Sequence, residues 1–216
     1  MSMALRERPV KRTRVYDASA RQERARKLRA ATLDTAQRMF HANGYSATTV
    51  ESIAEAAGVS AATIYKTYGG KAGLVRALCD RALAGSGPIP AEQRSDALRS
   101  ASDPRDVVEG WGRLASEVSP RISPLLLWLR EAGRLDADAS ALYRELDAKR
   151  LKRMGDNAGS LADSGHLRSG VTKRDARDIM WFLTAPDTYD LLVNQRGWSV
   201  RRYSRWMTET MLASLL

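Results

Sequence analysis

The residues able to do covalent chemistry are few and scattered. His41 and His166 are the only histidines and stand 125 positions apart, and Cys79 is the only cysteine. No Cys/His pair has metal-ligand spacing, no glycine-rich loop follows a strand, and no nucleophile-elbow pattern occurs. The paired acids Asp136 and Asp138 sit where a helix begins, and negative charge there offsets the helix dipole, so they read as helix-start charges rather than a general acid and base. No catalytic residue, metal site or cofactor is expected. What the sequence does offer is anion chemistry. Ser60 stands where its hydroxyl can cap a short helix and leave that helix's first N–H groups facing outward. Lys71 opens another helix, and a helix N-terminus beside a lysine makes a positive, donor-rich spot.

These groups need elements to hold them. From Arg21 to Asn43 the apolar residues Leu28, Leu33, Ala36, Met39 and Phe40 recur at helical spacing, and Gly44 stands where a left-handed cap is wanted. Thr48 and Glu51 have capping-box spacing and start a short helix through Ala57. Gly58-Val59-Ser60 then makes a tight turn into a second short helix from Ala61 to Thr67. Two helices crossing around such a turn need a small residue at the crossing, a glycine in the turn and an apolar core, which Ala54, Gly58 and the set Ile53, Val59 and Ile64 supply. Lys71 starts a fourth helix running toward Leu83.

Residues 85–90, Gly-Ser-Gly-Pro-Ile-Pro, form a linker, since two glycines loosen the backbone and two prolines forbid helix continuation. Beyond it the pattern is helical throughout: Ala91 to Ser100, Pro104 to Val118, Ser123 to Arg134, Ala137 to Ala162, Thr172 to Gln195 and Val200 to Leu215. Pro186 is expected to break the fifth of these after Ala185. The fold class is all-α, in four parts: a flexible basic arm (1–20), a helix-turn-helix domain (21–84), the linker (85–90) and a second helical domain (91–216).

Charge is concentrated at the front. The net formal charge is +10, and residues 1–85 hold 15 basic and 7 acidic side chains against 20 and 18 in the remainder. A basic leading region favours a polyanion such as nucleic acid. A lone cysteine fits a reducing cytosol, and no apolar run is long enough to span a bilayer, so a cytoplasmic location and no membrane partner are expected.

The run from Ala31 to Leu74 resembles the TetR-family DNA-binding domain, through Phe40, Gly44-Tyr45, Thr48-Thr49-Val50, Ile53-Ala54, Ala57-Gly58-Val59-Ser60, Ile64-Tyr65, Tyr68 and Lys71. The resemblance implies a dimeric transcriptional regulator, a repressor by default, that binds a near-palindromic stretch of double-stranded operator DNA and answers to a small-molecule effector. It also implies that Thr48, Thr49, Tyr65 and Lys66 touch DNA and that Lys71 meets a phosphate. Ser60, Ala61, Ala62 and Thr63 open the recognition helix without any Arg, Asn or Gln, the residues that make bidentate base contacts. Specificity is therefore expected from alanine and threonine methyls against thymine, from Tyr65 and Lys66, and from Arg12 and Arg14 of the arm entering a minor groove. A nonspecific DNA-binding structural protein is the alternative, although such a protein has no need of a nearly neutral second domain with its own apolar interior.

In the second domain the apolar faces of the middle helices suggest a ligand pocket formed by Trp111, Leu114, Leu126, Trp128, Leu129, Leu151, Met154 and Trp181. The last helix carries Tyr203, Trp206, Met207, Met211, Leu212 and Leu215, more apolar surface than one-sided packing uses, which together with the resemblance points to a homodimer through the last two helices.

Overall fold

The computed structural model describes residues 13–85 and 87–216, with side chains from Ser19 onward. Its elements in chain order are α1 (Thr13–Ala47), α2 (Val50–Ala57), α3 (Ala61–Tyr68), α4 (Lys71–Ala84), α5 (Ala91–Leu98), α6 (Pro104–Ala132), α7 (Ala137–Asp163), α8 (Lys173–Leu183), α9 (Pro186–Tyr189) and α10 (Val200–Leu215), with a π-helical turn, Asp190–Gln195, extending α9. Among the described residues there is no strand.

The first helix begins earlier than its apolar periodicity suggests. Residues 13–20, read from sequence as part of a flexible arm, are helical and continuous with the rest of α1. No Pro or Gly lies between Thr13 and Arg21, and extending a nucleated helix costs far less than starting one. The backbone of Arg14 is thus in α1, while Arg12 lies outside the described residues. Leu28 is exposed, so α1 turns into the core only from Thr32 onward. Gly44, at φ 77° and ψ 166°, bends the chain and turns Tyr45 inward.

Phe40, Tyr45, Ile53, Ile64, Leu74 and Leu78 form the centre of the N-terminal core. Each such side chain taken out of water contributes about 1.5–3 kcal/mol. The same core also takes in Leu125, Leu129, Leu142 and Leu146, so α6 and α7 close it from the far side of the linker. Arg76 and Glu145 add a bidentate pair between α4 and α7, both contacts at 2.6 Å. Arg81 ties α4 to Asp34 and Gln37 of α1, each at 2.6 Å.

α6 is one helix of 29 residues where the sequence suggested two separated by Pro120. Pro120 and Pro124 remove two ladder donors, and side chains bond carbonyls on the neighbouring turns. Ser116 Oγ donates to Gly112 O at 2.8 Å, Ser119 Oγ to Ala115 O at 2.7 Å and Arg121 Nη2 to Glu117 O at 3.1 Å. Packing against α10 holds the rest, at its closest where Gly112 meets Thr208: a Cβ on that glycine would stand 3.1 Å from the Thr208 Cα.

A second core gathers Val107, Val108, Trp111, Met180, Tyr203, Met207 and Met211. The apolar surplus read on the last helix is largely absent, because Tyr203, Met207, Met211 and Leu215 are fully buried within the same chain. The expected break after Ala185 is present: α8 stops at Leu183, and Pro186 starts α9 at a position where its missing N–H costs nothing.

Candidate nucleic-acid interface and internal cavity

The turn between α2 and α3 is fixed at both sides by backbone and side-chain bonds. Gly58 adopts φ 66° and ψ 33°, and the next N–H, of Val59, reaches Ala54 O at 3.0 Å. Ser60 caps α3, its Oγ accepting from Thr63 N at 3.1 Å and bonding Thr63 Oγ1 at 2.8 Å. With Ile64 buried beneath, α3 turns Ala62, Thr63, Tyr65 and Lys66 outward, and Tyr65 is 51% exposed. Ala61 packs partly against the core instead of facing out. Among the described residues neither the Tyr65 nor the Lys66 side chain has a hydrogen-bond or ion-pair partner.

Two residues expected at DNA are committed inside the protein. Thr48 is buried, with Oγ1 at 2.8 Å from Gly44 O and 3.3 Å from Met39 O, so it caps the end of α1. The capping box of α2 belongs to its neighbour: Thr49 Oγ1 accepts from Ser52 N at 3.0 Å, and Ser52 Oγ accepts from Thr49 N at 3.2 Å. Thr49 itself is exposed at that helix start. Lys71 Nζ donates to Tyr45 O at 3.0 Å and lies 4.2 Å from the Tyr45 ring centroid, a latch across the domain rather than a projecting cation. Burial, followed by the nearby Asp136 carboxylate, pushes the Tyr45 hydroxyl well above its usual range. Tyr68 packs against the core and donates to Arg29 O at 3.3 Å.

Below this domain, α4 to α10 line a half-open cavity of about 580 Å³. Trp111, Leu114, Leu126 and Met154 line it, as do Met180, Met211, Arg150 and Asn157, which the sequence reading missed. The stripe Leu146, Arg150, Met154 and Asn157 recurs at helical spacing on α7 and was the available signal, obscured because two of its members are polar. Four expected lining residues are elsewhere. Trp128 packs its ring 6.2 Å from Phe40 and 6.2 Å from His41, and Leu129 is buried in the same N-terminal core. Trp128 is two positions past Leu126, which puts it on the opposite face of α6. Leu151 is turned a third of a revolution off the α7 stripe, and it does not line the cavity. Trp181 lies outside as well, donating Nε1 to Asp147 Oδ1 at 3.3 Å with the Arg150 guanidinium 4.8 Å from its ring centroid.

Covalent chemistry finds no support in either place. Cys79 is enclosed in the core, and burial pushes its thiol up to about 12, keeping it protonated. Among the described residues no group of three or more His, Cys, Asp or Glu is placed to hold a metal ion, and no helix is long and apolar enough to cross a membrane.

A capped, outward-facing second helix on a three-helix head, joined to a cavity-bearing helical body, is a helix-turn-helix arrangement. Residues 33–78 match the family described as bacterial regulatory proteins, tetR family. It is 43% identical over 53 residues to the HTH-type transcriptional repressor ComR of Escherichia coli, a stretch covering 24% of this chain and 25% of that protein. It is 36% identical over 90 residues to the HTH-type transcriptional regulator TtgR of Pseudomonas putida, covering 42% of this chain and 39% of TtgR. The matches thus span well under half the length of either relative. The fold likeness is longer: the SmeT–triclosan complex superposes with a TM-score of 0.69 over 88% of this chain and 92% of SmeT, at 19% identity.

Proposed function

We propose that this chain is a TetR-family regulator that binds a near-palindromic operator as a homodimer, and that a small molecule in the cavity modulates that binding. The observation that carries the reading is the α3 strip of Ala62, Thr63, Tyr65 and Lys66, which is rigidly held from below and turned away from the core. Ser60 and Thr49 add two capped helix starts whose free N–H groups suit backbone phosphates. Thr48 and Lys71 act from within, by positioning these groups. Specificity in this reading rests on methyl contacts with thymine and on Tyr65, with Arg12 and Arg14 as additional minor-groove contacts.

The dimer uses α8 with its continuation through residue 195, and α10. Phe182, Leu191 and Val200 are exposed there, and Phe182 is 64% accessible in the isolated chain. A two-fold interface of this kind sets two α3 helices about one DNA turn apart. Effector control follows by linkage, since a molecule that binds the cavity better in the DNA-incompetent arrangement lowers DNA affinity by its differential affinity for the two states.

Selection of the purified protein against a random DNA pool at near-physiological salt, followed by sequencing, tests the reading. Enrichment of an inverted repeat supports it. Binding with a steep salt dependence but no enrichment replaces it with a nonspecific DNA-binding protein.

A further inference from the structure

About half of the residues lining the cavity are polar, and their bonding states differ. Arg150, Lys149, Lys152 and Arg153 are all at its wall, and each is already matched: Arg150 to Asp147 at 2.7 Å, Lys149 to Glu145 at 2.8 Å, Lys152 to Asp156 at 2.8 Å, and Arg153 to Asp96 at 2.7 Å and to Glu92. The one acid at the wall without such a match, Asp80, is exposed to solvent. A ligand carrying a formal charge would therefore lose its hydration without gaining a counter-charge, which disfavours both carboxylates and ammonium groups.

Asn157 is different. It is 2% exposed, it lines the cavity, and its Oδ1 accepts from Arg99 Nε at 3.0 Å. A guanidinium only donates, so the amide orientation is forced and Nδ2 is left with two hydrogens and no partner among the described residues. Arg150 Nε is a second buried donor without an acceptor. Ser95, Ser119, Ser123 and Thr184 add hydroxyls to the wall, and its apolar part includes Trp111, Met154, Met180 and Met211, an indole and thioethers that pack well on aromatic rings. From Leu146 to Asn157 the α7 stripe runs about 16 Å, so the space is longer than one ring.

We propose that the cavity takes an uncharged, elongated aromatic molecule carrying a hydrogen-bond-accepting oxygen, with Asn157 Nδ2 as its donor. This rests on the reading of the cavity as the effector site. The donor-rich, charge-balanced interior selects for ketone, ether or amide oxygens over ionised head groups.

Calorimetric titration of the full chain, without DNA, with four matched probes tests the proposal: 4-acetylbiphenyl, 4-ethylbiphenyl, biphenyl-4-carboxylate and 4-(aminomethyl)biphenyl. 4-Acetylbiphenyl is expected to bind about fivefold tighter than 4-ethylbiphenyl, the worth of one neutral hydrogen bond, and both ionised probes are expected to bind more weakly than either. In Asn157→Asp the acceptor for Arg99 is kept and the donor removed, so the acetyl advantage should vanish while 4-ethylbiphenyl binding is unchanged. Ala115→Trp, which fills the cavity, should abolish binding of every probe. Equal binding of the acetyl and ethyl probes, preference for an ionised probe, no binding of any probe, or an acetyl advantage that survives Asn157→Asp would each overturn the proposal. The regulator reading fails separately: 4-acetylbiphenyl that binds as expected yet leaves affinity for a selected operator unchanged counts against effector control, not against the ligand class.

Discussion

Around the α2–α3 turn the chain is fixed mainly by bonds between residues close in sequence. Thr49 and Ser60 cap their own helices, Gly58 makes the turn, Lys71 latches Tyr45, and the residues left outside are the α3 strip. From α6 to α8 the same helical packing is achieved differently. Prolines sit inside a helix, serine hydroxyls bond carbonyls of the turn before them, and a cavity with unmatched donors remains between the helices. The first region has its spare polar groups on the surface and the second has them in its interior. A surface for a large polyanion and a chamber for a small molecule thus arise from one kind of secondary structure, distinguished by where unsatisfied donors are left.

The sharpest test of that contrast is a methyl group added to a close helix contact in each region. A Cβ on Gly73 would stand 1.6 Å from the Tyr68 carbonyl oxygen, a backbone atom. Gly73→Ala should cost about 3 kcal/mol or more in urea unfolding and remove DNA binding with it. At Gly112 the nearest atom is the Thr208 hydroxyl at 2.3 Å, which can rotate, with the Cα behind it. Gly112→Ala should therefore cost less, about 1–2 kcal/mol. Equal losses would mean the C-terminal helices are as rigid as the head.

Thr48→Val comes next. It strips the donor from Gly44 O and should lower stability by about 1–2 kcal/mol while leaving DNA affinity per folded molecule unchanged in a fluorescence anisotropy assay; a direct loss of affinity would restore Thr48 to the interface. Lys66→Ala should do the reverse, with stability within about 0.5 kcal/mol of the parent. Its DNA affinity should fall, with a salt slope shallower by about one.

The smallest effect concerns the pair that joins the two regions. Arg76, then Lys149, pull the Glu145 carboxyl from its ordinary 4.5 down to about 2. A carboxyl lowered in the folded state stabilises it above its unfolded value and loses that contribution as pH falls through the folded one. Glu145→Gln should therefore melt slightly below the parent at pH 7, the gap closing between about pH 4.5 and 2. A gap that persists at the acid end would show that Glu145 acts through shape, not charge.

The head was legible in the sequence because its signals are local. A glycine, a serine and four apolar positions within twelve residues specify one turn, and only the cap slipped, from Thr48 to Thr49, since two adjacent threonines offer the same hydroxyl and only the fold selects which one faces the end of α1. The cavity was half legible. Helical period placed Trp111, Leu114, Leu126 and Met154 on inward faces, but Trp128 and Leu129 face a different core across the same helix, and no local pattern says which of two cores a given face meets. Asn157 and Arg150 were obscured because they are polar members of an otherwise apolar stripe, and which of their atoms stay unbonded depends on partners 58 and 31 positions away.

The passage of α6 through both cores has a thermodynamic consequence. The helix is about 43 Å long, with Val107, Val108 and Trp111 in one core and Leu125, Leu129 and Ala132 in the other. Melting either end removes the wall of its neighbour, so the head and body share one cooperative unit. Cutting the chain at the linker would not release an independent head, because the lid of its core is encoded about forty residues downstream.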